Sequence, residues 1–231
     1  ELLVSYGQSD YPESCSGTMK LNRPVATEDI FLAAPVQSGS TRALVMQLLP
    51  SQIRVRREAD LPVKEGMVQP DPNQDVCYIS VTDRYSGEGK TSSGFIGGFG
   101  LQRGAFATSL SPDDDNVICI GASVADMTVA INRLFELDGG QIVVCDGKVT
   151  AELPLPICGI MADLPIDEMA AKEKELEQAL ANQGVSIPKP FFSQIFLSIT
   201  AIPEFAITDA GFVSYQTKDY INPVLDREES S

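Results

Sequence analysis

Apolar residues recur in two rhythms along this chain, and the change of rhythm predicts where strands give way to helices. Over the first 75 residues the apolar runs are short and broken by turn formers. That predicts strands near Thr18–Leu21, Ile30–Ala33, Ala43–Leu49 and Gln52–Arg57, punctuated by Gly39, Pro50 and Pro62. Asp71-Pro72-Asn73 is a turn signal, and the β-branched and aromatic run Asp75–Thr82 after it reads as a central strand. Strands are also predicted at Ala105–Leu110 and Asn116–Gly121, on either side of an acidic turn, and later at Ser193–Ile202 and Phe212–Gln216. The polar tail Asp226–Ser231 is expected to fray.

The period lengthens after Gly121. Val124, Met127, Ile131, Leu134 and Phe135 share one face at helical spacing, Ser123 and Asp126 give a capping-box pattern, and Gly139 supplies the stop. A second helix is predicted over Ile166–Gln183, opened by Pro165 and closed by Gly184, with a solvated face of Lys172, Glu173, Lys174, Glu175 and Glu177. Between the helices, Asp146-Gly147 sits between two apolar runs in Gln141–Leu153 and signals a hairpin. Runs of strands, two helices and a hairpin, with no regular βαβ spacing, predict an α+β fold: a largely antiparallel sheet flanked by two main helices. Residues 1–231 are read as one domain, with a β-rich portion 1–74, a core 75–225 and the tail.

Charge narrows the partners. With 32 acidic and 17 basic residues the formal net charge is −15, a field that repels phosphate backbones and anionic bilayers, so neither nucleic acid nor membrane is an expected partner. No apolar run approaches the roughly 20 residues of a spanning helix. The N-terminus, Glu1-Leu2-Leu3-Val4, has no basic region ahead of an apolar one and no initiator Met, which suits a piece of a longer chain. The five cysteines are odd in number and widely spaced, without a C-x-x-C pair. Cys77, Cys119 and Cys145 lie in apolar runs, as expected for reduced thiols in a cytoplasmic protein.

There is no histidine. His-based triads and His-containing zinc or manganese centres are therefore outside this chain's own means, leaving only all-carboxylate magnesium or calcium sites as a metal option. The Asp113-Asp114-Asp115 run is the one candidate for such a site, but adjacent side chains in a turn seldom converge, so ordinary turn chemistry is expected. The chain is expected to carry no catalytic residue, no metal ligand and no cofactor of its own.

The segment Gly139–Pro165, GGQIVVCDGKVTAELPLPICGIMADLP, resembles the C-terminal domain of adenine deaminases: a Gly-Gly, an apolar strand, Asp-Gly-Lys, Ala-Glu-Leu-Pro-Leu-Pro and a small-residue turn. Gly94–Ala105, GFIGGFGLQRGA, is similar to that domain's glycine-rich stretch, and Ser109–Asn116, Ile118–Gly121 and Asn132-Arg133-Leu134 follow in the family's order. The resemblance covers about residues 75–215, and 18–75 more loosely. It implies a partner, an amidohydrolase barrel in the same polypeptide or complex, in which a divalent metal (Mn, Fe or Zn) makes the hydroxide that converts adenine and water to hypoxanthine and ammonia. A homo-oligomeric assembly is also within what it implies. Glu1 would then lie just beyond the end of that barrel. The alternative is a stand-alone, non-catalytic binding protein descended from the same domain.

The family pattern also picks out residues. Where it has Ser-x-x-His-Asp-Ser-His-Asn, this chain has Ser109 through Asn116 with Pro112 and Asp115 in the histidine places, and Tyr85 follows Asp83-Arg84 where the family has Glu-Arg-His. Candidate substrate or interface residues are accordingly Arg84, Ser109, Asp113 and Asn116, with Phe95 and Phe99 as interface anchors. The plainer readings are a surface arginine and core phenylalanines. Glu152, the one acid in an apolar stretch, is expected to make a structural salt bridge.

Overall fold

Successive residues in the central runs point to opposite sides, and both sides are apolar, so the strands they form must be covered twice. The computed structural model describes residues 11–225; the tail 226–231 and the N-terminal residues 1–10 lie outside the described residues. The helices are α1 (Thr27–Ile30), α2 (Val124–Glu136), α3 (Ile166–Asn182) and α4 (Pro190–Gln194). The first strands are β1 (Ser38–Leu48), β2 (Arg54–Lys64), β3 (Met67–Val68), β4 (Cys77–Thr82) and β5 (Thr91–Gly97). β6 (Ala105–Thr108), β7 (Val117–Gly121), β8 (Gly140–Cys145) and β9 (Lys148–Pro154) follow, then β10 (Phe205–Thr208), β11 (Gly211–Ser214), β12 (Tyr220–Ile221) and β13 (Val224–Leu225).

The main sheet runs β3-β2-β1-β5-β4-β7-β6-β8-β9, with β13 added beside β1, and every pairing is antiparallel except β1 with β5. This is the expected α+β fold. Every residue of β4, β6 and β7 is buried. Alternation divides them between two cores. Cys77, Ile79, Phe106, Ile118, Ile120 and Val143 face α3, α4 and the small sheet β10-β11-β12. Tyr78, Phe95, Ala105, Ala107, Cys119 and Ile142 face α2 and the N-terminal segment.

The helix and hairpin signals act locally. Ser123 accepts the Asp126 N–H at 3.2 Å and caps α2, whose Met127, Ala130, Ile131 and Leu134 are buried against the sheet. Asp146 and Gly147 both take positive φ, 53° and 72°, as a two-residue hairpin turn requires. Glu152 makes its salt bridge, a paired contact at 3.0 Å from each oxygen to the Arg133 guanidinium. Asn132 of α2 pins the N-terminal segment by accepting from Val25 N (2.8 Å) and donating to Val25 O (2.9 Å).

The glycine-rich stretch holds β5, and its glycines allow close approach of other elements: a Cβ on Gly94 would sit 1.7 Å from the Phe212 ring, and one on Gly98 2.2 Å from the Leu48 carbonyl. Three expected strands do not form. Thr18–Leu21 and Ile30–Ala33 give only isolated bridges at Leu21 and Ala33, the latter just after α1. Ser193–Ile202 is not a strand. It continues from α4 as tight turns wrapped around Arg54, which is 2% exposed and donates to the carbonyls of Phe196 (3.3 Å), Leu197 (3.0 Å), Ile199 (3.2 Å) and Ile202 (2.8 Å). Burial pulls this guanidinium down to about 10, so it remains charged at neutral pH. No helix among the described residues is long and apolar enough to cross a membrane.

Replacing Arg54 by Met leaves those carbonyls without their donor in a buried site. We expect a loss of about 3 kcal/mol and a fall of roughly 10 °C in melting temperature for a chain of this size. Arg54→Lys should fall between, because an ammonium cannot reproduce the planar fork. Thermal denaturation followed by circular dichroism measures both, and an Arg54→Met protein melting with the parent would refute the role.

Candidate functional site at one pole of the sheet

Antiparallel order brings four connections to the same end of the sheet: β4–β5 (83–90), β6–β7 (109–116), the entry to β8, and the exit of β9 (155–164). Arg84 is their meeting point. It is 3% exposed, contrary to the plain surface reading, and its Nη1 donates to the Cys158 carbonyl at 3.0 Å and approaches Met19 Sδ at 3.4 Å. Its Nη2 donates to Tyr85 Oη at 3.1 Å, and its Nε has no partner among the described residues. The Arg84 backbone N–H reaches Asn116 Oδ1 at 3.3 Å, and its carbonyl accepts from Lys20 N at 2.9 Å. Among the described residues none of its hydrogen-bond partners is a carboxylate.

Ser109, also buried, fastens the next layer. Its hydroxyl accepts from Gly140 N at 2.8 Å and donates to the Gly159 carbonyl at 2.5 Å. Gly159 must be small: a Cβ there would lie 1.9 Å from Arg84 Nη1, and its φ is +74°. A Cβ on Gly139 would lie 2.5 Å from Gly159 Cα, so the two glycines let the entry to β8 and the exit of β9 pass in contact.

The acidic turn lies above. Asp113 is exposed, with φ 98°. Asp114 is half-buried: its Oδ1 accepts from Asn116 N (3.2 Å) and Ser111 Oγ (3.1 Å), while Oδ2 is buried without a partner. Burial raises its carboxyl above the ordinary value, against hydrogen bonds that lower it. Tyr85 Oη donates to the Asp115 carbonyl at 3.4 Å, which ties the β4–β5 connection to the acidic turn. The turn's three carboxylates do not converge, and no group of three or more His, Cys, Asp or Glu among the described residues is placed to hold a metal ion.

Of the residues read from the sequence, the structure joins Arg84 to Asn116 by a hydrogen bond and to Ser109 through Gly159, leaves Asp113 exposed on the turn above, and separates the two phenylalanines. Phe95 is fully buried and stacks on Tyr78 at 4.9 Å on the α2 side. Phe99, 1% exposed, packs on Phe106 at 5.6 Å on the other side. Neither reaches the surface of the chain, so both are core residues and not interface anchors.

A family model described as the adenine deaminase C-terminal domain matches residues 51–219. The chain belongs to this family. It is 38% identical over 198 residues to adenine deaminase 1 of Desulfotalea psychrophila, covering 86% of this chain and 33% of the relative. It is also 38% identical over 217 residues to adenine deaminase 4 of Rhizobium meliloti (92% and 36%) and 34% over 222 residues to the adenine deaminase of Clostridium botulinum (96% and 37%). The chain thus spans about a third of the length of these relatives.

Within this adenine deaminase C-terminal domain, sequence reasoning missed the strap 15–19. Its backbone N–H groups at Gly17 and Met19 are held by the Asp138 carboxylate, and it lies over Arg84 through Met19. Beside the pole, an apolar groove of about 500 Å³ runs between α3 and α4, lined by Leu110, Leu176, Phe191 and Phe192, with the Lys189–Glu177 ion pair (2.8 Å) among its lining residues.

Two outcomes follow from this packing. Gly159→Ala should destabilise more than Ser109→Ala, because it combines a clash with a left-handed backbone; we expect about 3 kcal/mol against about 1.5 kcal/mol, read from denaturant midpoints. For Asp114 the raised folded value means that the folded protein binds the extra proton. Asp114's contribution to stability is fully present below the ordinary carboxylate range and is lost as pH rises through the raised value. Asp114→Asn should remove that decline and raise the melting temperature at pH 7 by roughly 2 °C; an unchanged pH profile would contradict it.

Proposed function

We propose that this chain is the C-terminal domain of an adenine deaminase-like hydrolase, not catalytic alone, whose Arg84 pole packs on or covers a metal-dependent amidohydrolase barrel. The observation that carries this is the family match over residues 51–219 together with relatives, named as adenine deaminases, of which this chain spans about a third. In this reading 1–231 acts as one domain, the barrel holds the Mn, Fe or Zn ion, and the polypeptide works in the cytoplasm, as a homo-oligomer if it follows the family. The chain's own part is shape. Arg84, Ser109 and Asn116 are buried and hydrogen-bonded within the pole, so they set the loop positions, while Tyr85 (48% exposed) and Asp113 are the groups left to meet a substrate or the barrel.

The altered positions favour a second reading. Tyr85, Pro112 and Asp115 stand where the family pattern has imidazoles, and all three lie on this pole. A stand-alone binding protein would also tolerate those changes. The coding sequence ahead of Glu1 separates the two: an in-frame barrel supports the hydrolase, a nearby start codon the binding protein.

The isolated chain is expected to convert no adenine to hypoxanthine, with or without added manganese. Conversion that tracks the purified chain would overturn the reading. In a polypeptide carrying a competent barrel, combining Tyr85→His, Pro112→His and Asp115→His should raise adenine turnover several-fold with the fold retained, the exposed Tyr85 site shifting stability by only about 0.5 kcal/mol. Unchanged turnover with an intact fold would mean that this pole does not serve the reaction.

A further inference from the structure

Cys15 and Cys158 are remote in sequence but adjacent in the fold. The Cys158 N–H donates to the Cys15 carbonyl at 2.6 Å, so the two residues touch through their backbones. With N–Cα about 1.46 Å and Cα to its own carbonyl oxygen about 2.4 Å, that bond holds the two Cα atoms no more than about 6.5 Å apart, inside the roughly 4.4–6.8 Å that a disulfide spans. Both are partly exposed, whereas Cys77 and Cys119 are buried with their thiols pushed far up by burial. Cys145, also partly exposed, has the Asp146 carboxylate beside its sulfur at 3.7 Å instead of another thiol. The neighbouring Cys15 thiol and burial push the Cys158 thiol above its ordinary value, with the Arg84 guanidinium opposing them, as expected of two thiols held side by side.

We infer that Cys15 and Cys158 are a disulfide-forming pair, oxidised by small-molecule disulfides, whose bond staples the strap 15–19 over the Arg84 pole. In the first step the thiolate of one cysteine attacks a sulfur of the oxidant; the oxidant's S–S bond breaks and one small thiol leaves with a proton. The second cysteine, as thiolate, then attacks the mixed disulfide and expels the other small thiol. Two cysteine thiols are oxidised, one external disulfide is reduced to two thiols, and the two cysteine protons end on the leaving groups. The bond closes a loop from 15 to 158, so its stabilising effect comes largely through the unfolded chain. This inference stands apart from any role of the pole beside a barrel.

The test uses the intact chain incubated with oxidised glutathione, trapped with an alkylating agent and denatured. Two of the five thiols should be lost, and a non-reducing digest should yield one peptide pair joining Cys15 to Cys158. Cys15→Ser and Cys158→Ser should each prevent the cross-link, and Cys145→Ser should not. The oxidised chain should melt about 5 °C above the reduced one, with the difference lost on adding dithiothreitol. Five free thiols, glutathione adducts without a cross-link, or a bond to Cys145 would each overturn the pairing. A correct cross-link without a rise in melting temperature would overturn the staple.

Discussion

Both faces of the middle strands are buried, and that constraint orders everything else. An antiparallel sheet with one wet face needs cover on one side only. Here β4, β6 and β7 have no exposed residue at all, so the chain must supply two coverings and close them without stranding backbone polar groups. α2 and the N-terminal segment form one, and α3, α4 and the small sheet form the other. With the faces closed, the ends of the strands are where loops are free to carry polar chemistry. The Arg84 pole is one such end.

The second covering is the harder to build, because it includes an apolar run that is neither helix nor strand for most of its length. Residues 195–202 expose several carbonyls toward the interior, and a single guanidinium answers them. Arg54 is therefore a fastener between β2 and a layer that follows it by well over a hundred residues. Arg84 repeats the device at the pole with carbonyl, hydroxyl and thioether partners. Both arginines are buried without a carboxylate bound to them, and both join segments that local sequence gives no reason to associate.

That pattern marks the limit of what the sequence discloses. Elements set by neighbours along the chain were legible: the Ser123 cap with its apolar stripe, the Asp146-Gly147 turn, and the period-two strands β4 and β7. Ser193–Ile202 was not, because β-branched and aromatic content records burial as well as extension, and the deciding contact comes from Arg54. The glycine-rich stretch gave no strand signal for β5, because the ring of Phe212, which requires Gly94, is more than a hundred positions away. Family resemblance selected Arg84, Ser109 and Asn116, which share one hydrogen-bonded pole, and Asp113, which is exposed above it; it selected Phe95 and Phe99 by their place in a glycine-rich motif, where residue type alone cannot separate a core ring from an exposed one. The strap over Arg84 has no local signature, since its hold depends on Asp138 and Cys158.

The pole is built in depth. Arg84, Ser109, Asn116 and the Gly139–Gly159 contact form a lower layer whose hydrogen bonds are mostly made within the chain, so exchanging them alters the shape of everything above. The upper layer, Tyr85 and the acidic turn, rests on that frame through the Tyr85–Asp115 and Asp114–Asn116 contacts, with Tyr85 and Asp113 its exposed residues. Few of the frame's own hydrogen bonds pass through this layer, so its residues are the ones free to vary while 34–38% identity to adenine deaminases persists over most of the chain.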